Sequence, residues 1–176
     1  MELDPVDKIT TGAVGEPGER TFFLQARSGD QLVTVLVEKE QVELLSASIL
    51  EILSNVDQET GEGPPEQELE LETPLETIWR AGRLSIGYAE ARDLMLLELE
   101  EATQPAEEES EEPAPEQPEP DRVRLWATRE QMLALSRHGA AIAARGRPRC
   151  QFCGNPLDPE GHTCPAMNGH RGPSGA

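Results

Sequence analysis

Two runs rich in glutamate and proline interrupt the hydrophobic pattern of this chain. Residues 58–73 read QETGEGPPEQELELET, and residues 103–121 read TQPAEEESEEPAPEQPEPD. Segments with so few apolar side chains to bury are typical of disorder, and proline interrupts helices and central strands. We therefore expect disordered acidic insertions near 58–73 and 103–121, within an ordered body that spans residues 1–146.

The remaining body shows the periodicities of strands and helices. Five segments have the alternation or the β-branched residues of strands and are predicted to be strands: residues 20–27, 31–38, 78–88, 93–101 and 122–127. Gly82 and Gly87 weaken one of these segments and indicate a bulge. Helical spacing predicts helices over 40–55 and 129–144, the second with a capping box from Thr128 to Gln131.

The order of these elements is ββα-ββ-βα. Most neighbouring strands are joined as hairpins, which favours antiparallel pairing. The sequence thus predicts an α+β fold: a mainly antiparallel sheet of about five strands with two helices on one face.

The C-terminal residues 147–176 contain all three cysteines of the chain. Two of them form a C-x-x-C-G motif, and a His-x-Cys pair follows after eight residues. Three thiolates and one imidazole make the closed tetrahedral shell of structural Zn²⁺ sites. We therefore expect a metal-binding tail that holds one Zn²⁺ through Cys150, Cys153, His162 and Cys164.

Some alternatives to this ligand set stay open. His170 follows six residues after Cys164 and could replace His162 as the nitrogen ligand. Without a nitrogen ligand from the tail, the zinc would keep an open position for water. The cysteines could also be plain thiols or a redox switch. His138 lies in the last predicted helix and is expected to be a surface or helix-end residue.

Sequence motifs of common enzymes are missing, so no enzymatic activity and no catalytic residue is predicted. The chain has neither G-x-x-x-x-G-K-[ST] nor a G-x-G-x-x-G that follows a strand. The glycines at 12, 15 and 18 precede the first predicted strand, and we expect a flexible N-terminal segment there. All three histidines lie after residue 137, two of them in the tail.

The lengths of the apolar runs and the number of cysteines predict the cellular compartment of the protein. No apolar run approaches about 20 residues, which excludes a membrane-spanning helix. The acidic N-terminus lacks the apolar core of a secretory signal. A low and odd number of cysteines favours a reducing compartment, so we expect a cytoplasmic protein.

Charge is the main guide to partners. The net charge is −19, yet residues 122–149 hold seven arginines and one glutamate. A protein-interaction or regulatory module with a structural metal is the favoured interpretation, and another protein its expected partner. The alternative is nucleic-acid binding, with the arginines on phosphates and Trp126 and Phe152 stacked on bases. The overall negative charge opposes that alternative, and the sequence does not indicate an oligomeric state.

Four stretches of the sequence resemble an uncharacterised bacterial family. They are GAVGEPGERTFFLQA (12–26), VLVEKEQV (35–42), RVRLWATREQ (122–131) and GRPRCQFCGNPLDPEGHTCPAMNGHR (146–171). Together they are similar to domain-of-unknown-function family 3090, known chiefly from actinobacteria. The resemblance implies a cytosolic protein of about this length, with a Cys/His metal knuckle and no established activity. The long insertion at 103–121 departs from the family pattern.

Overall fold

Seven strands form one mixed sheet in the computed structural model, which describes residues 1–103, 118–145 and 151–153. The spatial order of the strands is β1-β7-β6-β5-β4-β3-β2. The strands are β1 (Glu2–Leu3), β2 (Lys8–Val14), β3 (Thr21–Ser28), β4 (Gln31–Val37), β5 (Thr77–Ala89), β6 (Leu94–Glu101) and β7 (Arg122–Ala127). The helices are α1 (Lys39–Ser54) and α2 (Arg129–Ala144), with a short 3₁₀ helix at Glu66–Leu69.

Both helices lie on the same face of the sheet. A side chain at Gly139 of α2 would meet Thr11 of β2 and both Ser46 and Val42 of α1. The Ser136 hydroxyl donates to the Ser46 carbonyl at 2.7 Å, which joins the two helices. Their apolar stripes close a core over the central strands, as expected for an amphipathic pair packed on a sheet.

The α+β class and the two helices are confirmed. Helix α2 and strand β7 have the predicted bounds, and the other predicted elements begin and end within one residue of the expected positions. The Thr128 hydroxyl accepts from the Gln131 amide at 3.1 Å, as the capping box requires. A register shift between Ala81 and Arg83 places a bulge at Gly82.

The prediction of a mainly antiparallel, five-stranded sheet is wrong. The sheet has seven strands, and the pairs β1–β7 and β4–β5 are parallel. Strand β1 has only two residues, too few for any periodicity. Strand β2 is buried on both faces, so its sequence KITTGAV does not alternate. The glycine-rich stretch expected to be flexible forms the end of β2 and the turn into β3, where Gly15 and Gly18 have positive φ.

A buried arginine holds the segment between α1 and β5 against the body. We call residues 58–73 the connecting segment. Arg129 is 5 % exposed and donates to the Gln58 and Glu59 carbonyls and to the Thr60 hydroxyl, at 3.0–3.5 Å. Its Nε donates to Asp93 at 2.7 Å, and this contact lowers the pKa of the Asp93 carboxyl. The guanidinium therefore ties the start of the connecting segment to α2 and to the β5–β6 turn.

The connecting segment then crosses the sheet face opposite the helices. Leu69 is 3 % exposed, and its carbonyl accepts from the Thr10 hydroxyl. The Gln25 amide donates to the Glu72 carbonyl at 3.0 Å and accepts from the Glu72 amide at 2.7 Å. The Arg27 guanidinium also pairs with the Glu72 carboxylate at 2.8 Å. The half of the sheet that contains β2 and β3 is thus covered on both faces.

The structure thus gives residues 58–73, predicted to be a disordered insertion, contacts with the body. Composition measures only what side chains can bury, whereas these contacts are made mainly by backbone carbonyls. Of the second expected insertion, residues 104–117 lie outside the described part of the chain. Within the described residues, no helix combines the length and apolar character needed to cross a membrane.

Arg129→Met should destabilise the protein strongly, because it leaves the polar partners of the guanidinium unsatisfied. We expect the free energy of unfolding in urea to fall by about 3 kcal/mol. Arg137→Met, at an exposed position of the same helix, is the matched control and should change it by less than about 0.5 kcal/mol. Equal effects of the two substitutions would show that Arg129 does not anchor the connecting segment.

Candidate functional site

The predicted metal ligands fall almost entirely outside the described residues. Of the four, the structure describes only Cys153, half-buried in a short turn at residues 151–153. Cys150, His162 and Cys164, with the alternative His170, lie outside, so the zinc site remains a prediction. In the described part, no group of three or more His, Cys, Asp or Glu side chains is placed to hold a metal ion.

Carboxylates of the body already pair with the arginines proposed to bind nucleic acid. Arg122 lies 3.5 Å from Glu100, and Arg124 lies 3.4 Å from Glu98. Arg129 is buried against Asp93, as described above. A phosphate would have to compete with these carboxylates for the guanidinium groups. Arg147 and Arg149 lie outside the described residues.

Trp126 has neighbours of its own as well. The Arg92 guanidinium lies 4.4 Å from the centre of its ring, and Arg124 lies at 6.0 Å. The indole N–H donates to the Glu2 carboxylate at 2.7 Å. A base stacking on Trp126 would compete with Arg92, whereas the exposed Phe152 has no such neighbour among the described residues.

A cavity of about 280 Å³ lies between α2 and the connecting segment. His138 lines it with a side chain that is 11 % exposed, so the expectation of a surface or helix-end histidine is wrong. Its Nδ1 atom is buried, has no hydrogen-bond partner among the described residues and lies 3.9 Å from the Glu66 carboxylate. Glu62 and Arg137 also line the cavity.

Burial is the main cause of the lowered pKa of His138. Arg145 lowers this pKa further, while Glu66 and the Thr11 backbone raise it. Glu66 also pairs with Arg145 at 3.3 Å, so the same carboxylate lies beside both Arg145 and His138. With a pKa below its ordinary value of about 6.5, His138 is neutral at pH 7.

The β5–β6 hairpin extends beyond the end of β4. Parallel pairing with β4 joins Thr34 to Thr77 and Leu36 to Arg80, and β4 ends at Val37. Within the described residues, the stretch 82–89 of β5 pairs only with β6. We call residues 82–89 the unpaired edge.

A groove of about 300 Å³ runs between the unpaired edge and helix α1, and we call it the α1–β5 groove. Its β5 wall is formed by residues 82–86. Its α1 wall is formed by Gln41, Leu44, Leu45 and Ser48. Leu44 is 68 % exposed, a large value for a leucine beside other apolar side chains. Such an apolar recess is the kind of surface that contacts other molecules.

A second recess, of about 340 Å³, lies on the other side of the same strand. Gly87 leaves it open, because a side chain there would meet nothing within 4 Å. Leu96 and Trp126 form its apolar wall, and Glu98 lies at its border. The unpaired edge is therefore accessible from both faces of the sheet.

Sequence reasoning did not find the α1–β5 groove. The sequence does contain one signal of the groove, because Leu44 lies outside the apolar stripe of α1. A single exposed leucine, however, is common on protein surfaces and does not indicate a binding site. The groove depends on where β4 stops beside β5, and this parallel pairing joins residues more than 40 positions apart.

Comparison with known proteins identifies the family of the chain. The family model described as "Protein of unknown function (DUF3090)" matches residues 1–164, so the chain belongs to this family. This confirms the resemblance seen in the sequence. No curated protein and no solved structure matches the chain.

Protonation of His138 should cost stability at acid pH. The unfolded chain takes up a proton near pH 6.5, whereas the folded chain excludes it until a lower pH. The free energy of unfolding should therefore fall as the pH drops below about 6.5. His138→Gln should lose less stability than the wild type between pH 7.5 and 5.5 in urea denaturation. Identical losses would contradict a buried, neutral His138.

Proposed function

We propose that this member of the DUF3090 family is a cytoplasmic protein-interaction module, with a C-terminal tail that a structural Zn²⁺ stabilises. The observation that carries the interaction role is the α1–β5 groove beside the unpaired edge. Its apolar wall includes Leu44, which is largely exposed. A partner that covered these side chains would remove apolar surface from water, the main favourable term in protein association.

The charge of the molecule supports a protein rather than a nucleic acid as partner. The chain carries a net charge of −19, and Arg122 and Arg124 pair with carboxylates on β6. Neither feature helps to attract a polyanion. The α1–β5 groove is bordered by neutral side chains and one arginine, which suits a polypeptide.

The zinc proposal is supported by the chemistry of the donor set. Cys150, Cys153, His162 and Cys164 offer three soft thiolates and one imidazole, a combination preferred by Zn²⁺. A tail of this length cannot build a core of its own, so metal binding would supply its folding energy. Thiolates kept available for a metal also suit the reducing cytoplasm.

The full-length protein purified without chelator should contain about one zinc per chain. Cys153→Ser should lose most of this metal, measured by elemental mass spectrometry, while urea denaturation of the body stays close to the wild type. His162→Ala should weaken zinc binding strongly, and His170→Ala should not. The reverse order would move the nitrogen ligand to His170, and protein free of any transition metal would refute the metal site.

A photo-cross-linking amino acid tests the interaction role. Placed at Ser48, inside the α1–β5 groove, it should form one discrete protein adduct in cells of the native host. Placed at Leu50, which is 48 % exposed on the same helix but outside the groove, it should not. Adducts of equal yield at both positions, or none at Ser48, would contradict a specific interaction through the groove.

A further inference from the structure

The unpaired edge presents backbone groups that a neighbouring strand would normally engage. Strand β5 has thirteen residues, but its pairing with β4 ends at Arg80. The Gln41 side chain of α1 donates to the Ala81 and Gly82 carbonyls, at 3.1 and 3.4 Å. Beyond Gly82, the outward-facing amides and carbonyls of residues 83–89 have no strand partner among the described residues. Proteins usually protect such edges with proline, charged side chains, bulges or a covering element. Here a bulge at Gly82 and the charged Arg83 lie at the start of the edge, and residues 84–89 contain neither proline nor a charged side chain.

The α1–β5 groove lies along this edge rather than over one face of the sheet. Its described lining comes from β5 and α1 and includes no residue of β6 or β7, whereas the second recess is also lined by Leu96 of β6 and Trp126 of β7. An object bound there would therefore lie beside the backbone of β5, in the position of the next strand, with α1 along its other side.

Arg83 gives the groove its charge. It is the one ionisable side chain among the described residues that line the groove. Its neighbour Arg80 pairs with Glu38, but no described carboxylate lies within 4.0 Å of Arg83. An exposed guanidinium in this position can bind a carboxylate of a ligand through paired hydrogen bonds.

We propose that the unpaired edge binds an extended peptide of a partner protein by strand addition. The peptide backbone hydrogen-bonds to residues 83–88 of β5, and alternate apolar side chains enter the α1–β5 groove beside Leu44 and Leu45. A carboxylate of the peptide pairs with Arg83. This inference rests on the proposed interaction function and specifies its partner. Main-chain pairing supplies affinity in this mode, and the groove supplies specificity.

The probe is a display library of random twelve-residue peptides, selected on the immobilised full-length protein. Selected sequences should alternate apolar residues and carry Asp or Glu at one fixed position. Arg83→Ala should remove the preference for that acidic residue. Leu44→Asp should weaken binding of a selected peptide at least about tenfold, and the control Leu50→Asp should change it less than about twofold. Both positions are exposed, so neither variant should impair folding.

N-methylation of the peptide separates strand addition from other modes. Alternate amides of a strand face the same neighbour. A peptide N-methylated on one alternating set should bind at least about tenfold more weakly, whereas its isomer with the other set should lose less than about threefold. Equal losses for the two isomers, or selection of helical sequences with apolar residues at i, i+3 and i+4, would overturn the inference.

Different results would refute the interaction function and the binding of a peptide by strand addition. A discrete adduct at Ser48 together with peptides that do not bind as strands would leave the interaction function standing and refute strand addition. If no peptide is selected and no adduct forms at Ser48, both are refuted.

Discussion

One desolvated guanidinium determines how the middle of the chain is arranged. A buried arginine is tolerated only when carboxylates and carbonyls replace the water that it has lost. Arg129 obtains these partners from the β5–β6 turn, through Asp93, and from residues 58–60 at the start of the connecting segment. The arginine thus joins parts of the molecule that are distant in sequence. The path of residues 58–73 begins at this contact.

From that anchor, the connecting segment makes the two halves of the sheet different. It covers β2 and β3 on the face opposite the helices, where Gln25 pairs with the Glu72 backbone. The half formed by β5, β6 and β7 has no such cover among the described residues. Its outer strand extends beyond β4 and meets α1 across a groove. The same long crossover that completes one half therefore leaves the other half accessible.

The accessible half and the C-terminal tail are suited to different tasks. The unpaired edge and the exposed Leu44 beside it are suited to binding a polypeptide. The cysteines and histidines of the tail are suited to holding a closed-shell metal that stabilises structure. Arg122 and Arg124 on β7 pair with carboxylates of β6 on the exposed surface of the sheet, and such pairs add little to stability.

Local pattern was enough to predict most of the elements. The capping box at Thr128 and the alternation in residues 122–127 gave α2 and β7 their exact bounds, because caps and periodicity depend on neighbouring residues. The metal motif can likewise be proposed from spacing alone. Strand β2, the parallel pairs and the contacts of the connecting segment could not be predicted in this way, since they depend on residues that are distant in sequence. Only the tertiary structure decided that backbone carbonyls of an acidic segment would satisfy Arg129, and that β4 would end early enough to leave β5 with an unpaired edge.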